Sequence, residues 1–180
     1  MTDEAAFIEE IRRTPDDVTP RLIYADFLED RGDPRGEFIR VQCELSEMPA
    51  GTPGRSDLMN RERELLETFG GEWLQPLKQL GVKGLTFRSF ERGLLEHIRI
   101  SAVDYLQHWK ELFELVPALV SLELRNLRDL HDDQFHQLSF PNRLATLDVS
   151  SGKLTGMQLQ RLTAALSRQR TYSDHTRRLR

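Results

Sequence analysis

Apolar residues recur at helical spacing in the first half of the chain and at alternate positions in much of the second. Over residues 3–14, Phe7, Ile8 and Ile11 share one face while Glu9, Glu10, Arg12 and Arg13 lie elsewhere, which predicts an amphipathic helix. Thr14-Pro15-Asp16-Asp17 ends it. Thr19 before Pro20 predicts the N-cap of a second helix, because proline in the first helical position loses nothing by lacking an N–H. That helix places Leu22, Ile23, Phe27 and Leu28 inward and ends at Gly32, which suits a left-handed C-terminal cap. Asp33-Pro34 repeats the cap-and-proline start, and Phe38, Val41, Leu45 and Met48 form the stripe of a third helix. Pro49 to Gly54 holds two prolines and two glycines in six residues, so it reads as a linker. Ser56 predicts the cap of a fourth helix, with Leu58, Met59, Leu65, Leu66 and Phe69 inward and Gly70-Gly71 as its stop. A short segment from Trp73 to Leu80 comes next.

Further on the pattern changes. Leu95-x-x-Ile98-x-Ile100, Leu119-x-x-Leu122-x-Leu124 and Leu144-x-x-Leu147-x-Val149 repeat one unit, with Ile98, Leu122 and Leu147 spaced 24 and 25 residues apart. L-x-x-L-x-L at a period of about 20–29 residues is the signature of leucine-rich repeats. Strand side chains alternate, so the unit's apolar positions point into the stack and leave three exposed rows. These rows are His97/Ser121/Thr146, Arg99/Glu123/Asp148 and Ser101/Arg125/Ser150. The middle row brings Arg99 beside Glu123. Upstream, Val82-x-x-Leu85-x-Phe87 lies too close to Ile98 for a full repeat, and Arg88 to Gly93 reads as a turn. The pair predicts a hairpin-like strand covering the open edge. Between strands, Tyr105, Leu106, Trp109, Leu112, Phe113 and Leu115 form a helical stripe, with Trp109 and Phe113 expected inside. Phe135 and Leu138 serve a helix opening at Asp132-Asp133. Thr155 caps a last helix carrying Met157, Leu159, Leu162, Ala165 and Leu166 inward. Arg168 to Arg180 has few apolar residues and predicts a frayed or extended tail.

Composition narrows the functional classes. A chain of 180 residues makes one large domain or two small ones, and a net charge of −4 implies no general affinity for polyanions. The charge is uneven, however: residues 161–180 hold Arg161, Arg168, Arg170, Arg177, Arg178 and Arg180 against Asp174 alone. Such a basic end is either a contact device or a solvated terminus. The single Cys43 excludes a disulfide framework and reads as a small buried hydrophobe. No apolar run reaches the roughly 18–20 residues of a membrane span. The acidic start Met1-Thr2-Asp3-Glu4 precedes no apolar stretch, so no signal peptide is expected and a cytoplasmic location is.

Candidate chemistry is thin. His131 and His136 fall on different helical faces, and His131-Asp132-Asp133 has no second ligand pair, so no metal site is expected. Neither G-x-S-x-G, a P-loop nor G-x-G-x-x-G occurs. No catalytic residue, cofactor or enzymatic activity is therefore expected. Asp26, Glu29, Asp30, Asp33 and Glu37 surround Arg21, Arg31, Arg35 and Arg40. Asp33 serves as a helix cap, Asp26 and Arg40 suit a pair across two antiparallel helices, and the others read as surface charge. The alternative is a docking surface at the turn Arg31 to Gly36. A catalytic reading would need Tyr24, Asp26 and Arg40 in one cleft.

The run Arg21-Leu22-Ile23-Tyr24-Ala25-Asp26-Phe27-Leu28-Glu29-Asp30-Arg31-Gly32-Asp33-Pro34-Arg35-Gly36-Glu37-Phe38-Ile39-Arg40-Val41-Gln42 resembles the core of the bacterial repeat-companion domain. That core reads approximately R-L-x-Y-A-D-W-L-E-E-R-G-D-P-R-G-E-F-I-R-x-Q, and Phe27 replaces its commoner Trp. The resemblance covers residues 1–48, and the segment from Phe87 to Pro117 resembles the start of the family's repeat region. It implies an architecture and no established activity.

The expectation is an α+β chain: a helical companion domain (1–48) packed on a short leucine-rich-repeat stack (82–168) with a hairpin-like N-terminal cap. A linker (49–55), a helical connector (56–81) and a basic tail (169–180) complete it. The expected function is a non-enzymatic protein–protein interaction module. Its candidate partner-binding residues are His97, Arg99, Ser121, Glu123, Arg125, Thr146 and Asp148, with Arg168, Arg170, Arg177, Arg178 and Arg180. The alternative is an accessory subunit that contacts nucleic-acid phosphate through the arginine-rich end.

Overall fold

Helical spacing in the first half and alternation in the second produce a mixed α+β fold. A computed structural model describes residues 3–177 apart from 83, 88, 143 and 151–153, with side chains described as far as Leu166. The chain divides into two compact units. The first is Met1–Gly81 with Ser89–Glu96 and Leu115–Ala118; the second is Val82–Arg88, His97–Glu114 and Leu119–Arg180.

The first unit contains α1 (Asp3–Arg13), α2 (Thr19–Glu29), α3 (Arg35–Glu47), α4 (Arg55–Trp73) and α5 (Gln75–Gln79). The predicted stripes supply much of its interior. Ile8, Ile11, Tyr24, Ala25, Leu28, Ile39 and Cys43 form one buried cluster, and Phe38, Val41, Leu45 and Leu65 form a second. Phe38 meets Trp73 and Phe90 with ring centres 5.0 and 5.3 Å away. Helices α2 and α3 approach closely because Gly36 faces the Ala25 carbonyl. A Cβ there would stand 2.6 Å from that oxygen.

The turn between α2 and α3 reflects its residues. Gly32 takes φ +69°, the Asp33 amide donates to the Leu28 carbonyl, and the Asp33 carboxylate accepts the Arg35 amide at 2.9 Å. The other caps differ from expectation. Asp17 accepts the Thr19 amide at 2.8 Å, so α2 starts at Thr19 instead of being capped by its hydroxyl. Helix α4 is entered through Gly54 at φ +83°, and Ser56 lies inside it. It also runs through Gly70-Gly71 to Trp73. Each glycine costs only about 1 kcal/mol against alanine, and Phe69 and Trp73, on either side of the pair, pack against the second cluster. Ile23 and Met59 are exposed, because each stripe is narrower than the run of apolar residues suggests.

The second unit contains β1 (Thr86–Phe87), β2 (His97–Ser101), α6 (Ala102–Leu115, whose last residue belongs to the first unit), β3 (Ser121–Arg125), β4 (Thr146–Asp148) and α7 (Gly156–Arg177). The strands form one sheet in the order β1-β2-β3-β4. Strands β2, β3 and β4 are parallel, and β1 pairs antiparallel with β2, which matches the predicted edge hairpin. Ile98, Ile100, Leu122 and Leu124 are buried, as alternation requires. In α6, Tyr105, Leu112 and Phe113 are buried, Trp109 is half-buried and Leu115 is exposed. Tyr105 stacks on Phe140 and donates to the Ser139 carbonyl at 2.6 Å.

Three local expectations change here. Gln134–Gln137 is a 3₁₀ turn in place of a helix, yet Phe135 and Leu138 are buried as expected. Thr155 does cap α7: the Gln158 amide donates to its hydroxyl and the Thr155 amide donates to the Gln158 side chain. Met157 and Leu159 nevertheless face solvent. Residues 168–177 continue α7 instead of fraying, since no glycine or proline interrupts a run of acceptable helix formers.

Candidate functional site

Strand register sets the exposed face of the sheet. His97 pairs with Ser121 and Ser121 with Thr146; Arg99 pairs with Glu123 and Glu123 with Asp148. Six of the sequence-predicted residues therefore stand in two ordered rows. Arg99 Nε donates to Glu123 Oε2 at 2.6 Å, and Asp148 accepts the Ser150 amide at 2.8 Å. The third row is shorter than expected: Ser101 pairs with Arg125, but Ser150 lies beyond β4. Burial falls along the sheet. Ile98 and Leu122 are buried, whereas Leu147 is only partly covered.

The arginine-rich end divides. Arg161 pairs with Asp132 and is partly covered. The backbones of Arg168, Arg170 and Arg177 belong to α7, and Arg178 and Arg180 lie outside the described residues.

In the first unit, the charged motif sorts into two places. Arg40 reaches across from α3 to pair with Asp26 and with Glu29 of α2, as two antiparallel helices allow. These groups are substantially exposed. Tyr24 instead points into the unit, where its hydroxyl donates to Glu4 Oε1 at 2.5 Å. Burial first, then Glu4, pushes the Tyr24 phenol above its ordinary value. Arg35 holds Asp33 with two bonds of 2.6 and 2.8 Å and stands 3.6 Å from Glu4. Burial would raise the Asp33 carboxyl, but its bonds to Arg35 outweigh that and hold it below the usual range. Tyr24, Glu4 and Arg35 line one cavity, while Asp26 and Arg40 do not. The three residues named for a catalytic cleft thus do not converge.

A buried ion pair has no counterpart in the sequence expectations. Arg21 is 1% exposed and donates to Glu96 at 2.6 Å, across 75 residues. Among the described residues its Nε and Nη1 have no hydrogen-bond partner. Nearby in the same unit, the Gln42 side chain accepts the Gly93 amide at 2.6 Å and donates to Glu62. Gly93, at φ +86°, sits against Ile39, and Arg92 shares its positive φ. Together they make the tight reversal that returns the Leu94 amide to Glu91. The motif marks Arg21, but nothing in the local pattern points to Glu96.

Among the described residues, no three His, Cys, Asp or Glu side chains converge as a metal site requires. None of the described helices is long and apolar enough to cross a membrane. Burial raises the Cys43 thiol, so it is not an activated nucleophile. No family model, curated protein or solved structure matches the chain.

Proposed function

We propose that the chain is a non-enzymatic interaction module in which a repeat-companion-like helical unit accompanies a short leucine-rich-repeat stack. The supporting observation is the register of β2, β3 and β4, which lines up equivalent positions of the three repeat units. In this reading the sheet displays His97, Arg99, Ser121, Glu123, Arg125, Thr146 and Asp148 to a protein partner. Solenoid strand faces act as extended binding surfaces because neighbouring repeats present equivalent side chains side by side. The mixed charge of the middle row favours a partner of complementary mixed charge over a uniform polyanion.

The experiment is affinity capture from the native cell with the intact chain and with Arg99→Glu/Glu123→Lys. The double change keeps the net charge of the row but inverts its pattern. Loss of a partner that the intact chain retains supports the reading; capture unaffected by the inversion counts against the strand face. A second reading, phosphate contact through Arg168, Arg170, Arg177, Arg178 and Arg180, rests on the charge asymmetry of the sequence. Removing residues 169–180 would then abolish salt-dependent nucleic-acid binding.

A further inference from the structure

The first unit contains a cavity of about 130 Å³ that the strand-face reading does not use. Ile8, Trp73, Leu77, Phe90, Leu94 and Val116 contribute apolar walls. An engineered apolar cavity of about 150 Å³ takes up benzene, so this space suits one ring or a short alkyl chain. Among the described residues, the polar side chains that line it are Tyr24, Glu4 and Arg35.

Those three side chains are not equivalent. The Arg35 guanidinium gives Nε and Nη2 to Asp33 and stands farther from Glu4, at 3.6 Å. Its charge is therefore met first by Asp33. Glu4 remains as the surplus charge, so Glu4, Asp33 and Arg35 together carry one net negative. Tyr24 uses its only proton on Glu4 Oε1, which leaves its oxygen lone pairs as acceptors. Glu4 Oε2 is a second acceptor. An entering group thus meets acceptors and a net negative charge of the Glu4–Asp33–Arg35 group beside the apolar walls. A carboxylate would be repelled by Glu4 and would find the charge of Arg35 already offset by Asp33. An ammonium finds hydrogen-bond acceptors and an opposite charge.

We infer that this cavity is a binding site for a small organic amine, with its ring or alkyl body among the apolar walls and its ammonium on Glu4 and Tyr24. The site is independent of the strand face.

The two tryptophans of the chain provide the readout. Trp73 lines the cavity, and Trp109 belongs to α6 in the second unit. The ¹⁵N-labelled intact chain is titrated with phenethylamine and, separately, with phenylacetate. Phenethylamine is expected to shift the Trp73 indole N–H saturably at about millimolar concentration, leaving Trp109 unmoved. Phenylacetate should need at least tenfold more, and Glu4→Gln should weaken the amine at least tenfold. Phenylacetate binding as tightly as the amine, a Trp73 signal unmoved by the amine, or an unaltered amine affinity in a folded Glu4→Gln chain would each overturn the proposal. The comparison of the two probes on the unaltered protein decides the matter if Glu4→Gln does not fold.

Discussion

The helical unit closes over charged and amide groups drawn from distant parts of the chain, whereas the sheet unit buries aliphatic side chains and keeps its charges outside. In the first, Arg21 and Glu96 meet in the interior and Gln42 binds the Gly93 backbone. In the second, Ile98, Ile100, Leu122 and Leu124 are covered, and Arg99 and Glu123 pair on the opposite face, partly open to solvent. A buried ion pair and a partly exposed one share the same 2.6 Å contact, yet they respond differently to the loss of one partner. Fully buried charge has no water to fall back on; charge that keeps contact with solvent does.

The sharpest way to break this contrast is Glu96→Ala, which strands the Arg21 guanidinium. The expected loss is about 3–5 kcal/mol in urea unfolding, with hydrogen exchange accelerating first in α2 and α3. The double variant Arg21→Met/Glu96→Leu should recover most of that loss, since apolar replacement of a buried pair is often neutral or better. A single variant that loses less than about 1 kcal/mol would remove the pair's special standing. Leu122→Ala is expected to cost about 2–5 kcal/mol by cavity formation, and its exchange effects should centre on β2 to β4.

Asp33→Asn is a smaller perturbation, worth about 1 kcal/mol near neutrality as the loss of the charge that pairs with Arg35. Because the folded state holds the Asp33 carboxyl below its ordinary 3.8, its contribution is full above that value and is lost as pH falls through the lower folded one. The stability gap between variant and parent should therefore close in acid and stay constant from pH 5 to 7; a gap that widens in acid would reverse the assignment. Arg99→Ala is the mildest change, at about 0–1 kcal/mol, and should shrink further in 0.5 M salt. If it rivalled Glu96→Ala, the distinction between fully buried and partly exposed charge in this molecule would collapse.

The readable parts of the fold are those with short-range causes. The rows led by His97 and Arg99 arise from a period of two combined with repeats 24 and 25 residues apart. The Thr155 cap is contained within four residues, and the pair of Asp26 and Arg40 comes from two consecutive helices joined by a tight turn. Other features depend on competition that a local pattern does not reveal. Asp17 takes the Thr19 amide, and Gly70-Gly71 stays helical beside the packed rings of Phe69 and Trp73. Ile23 and Met157 carry apolar side chains into solvent although their helices offer buried faces. The cavity was illegible for a further reason: Glu4, Tyr24, Trp73 and Val116 share no spacing, and only the folded unit brings them together.

The bond between Arg21 and Glu96 also sets a clock. A ribosome adding about 5–20 residues per second covers the 75 residues that separate them in about 4–15 s. Throughout that interval α2 has been synthesised without its counter-ion, and sealing Arg21 into an apolar interior would be strongly unfavourable. Closure of the first unit over the Arg21 guanidinium is therefore favourable only once Glu96 is available to meet it.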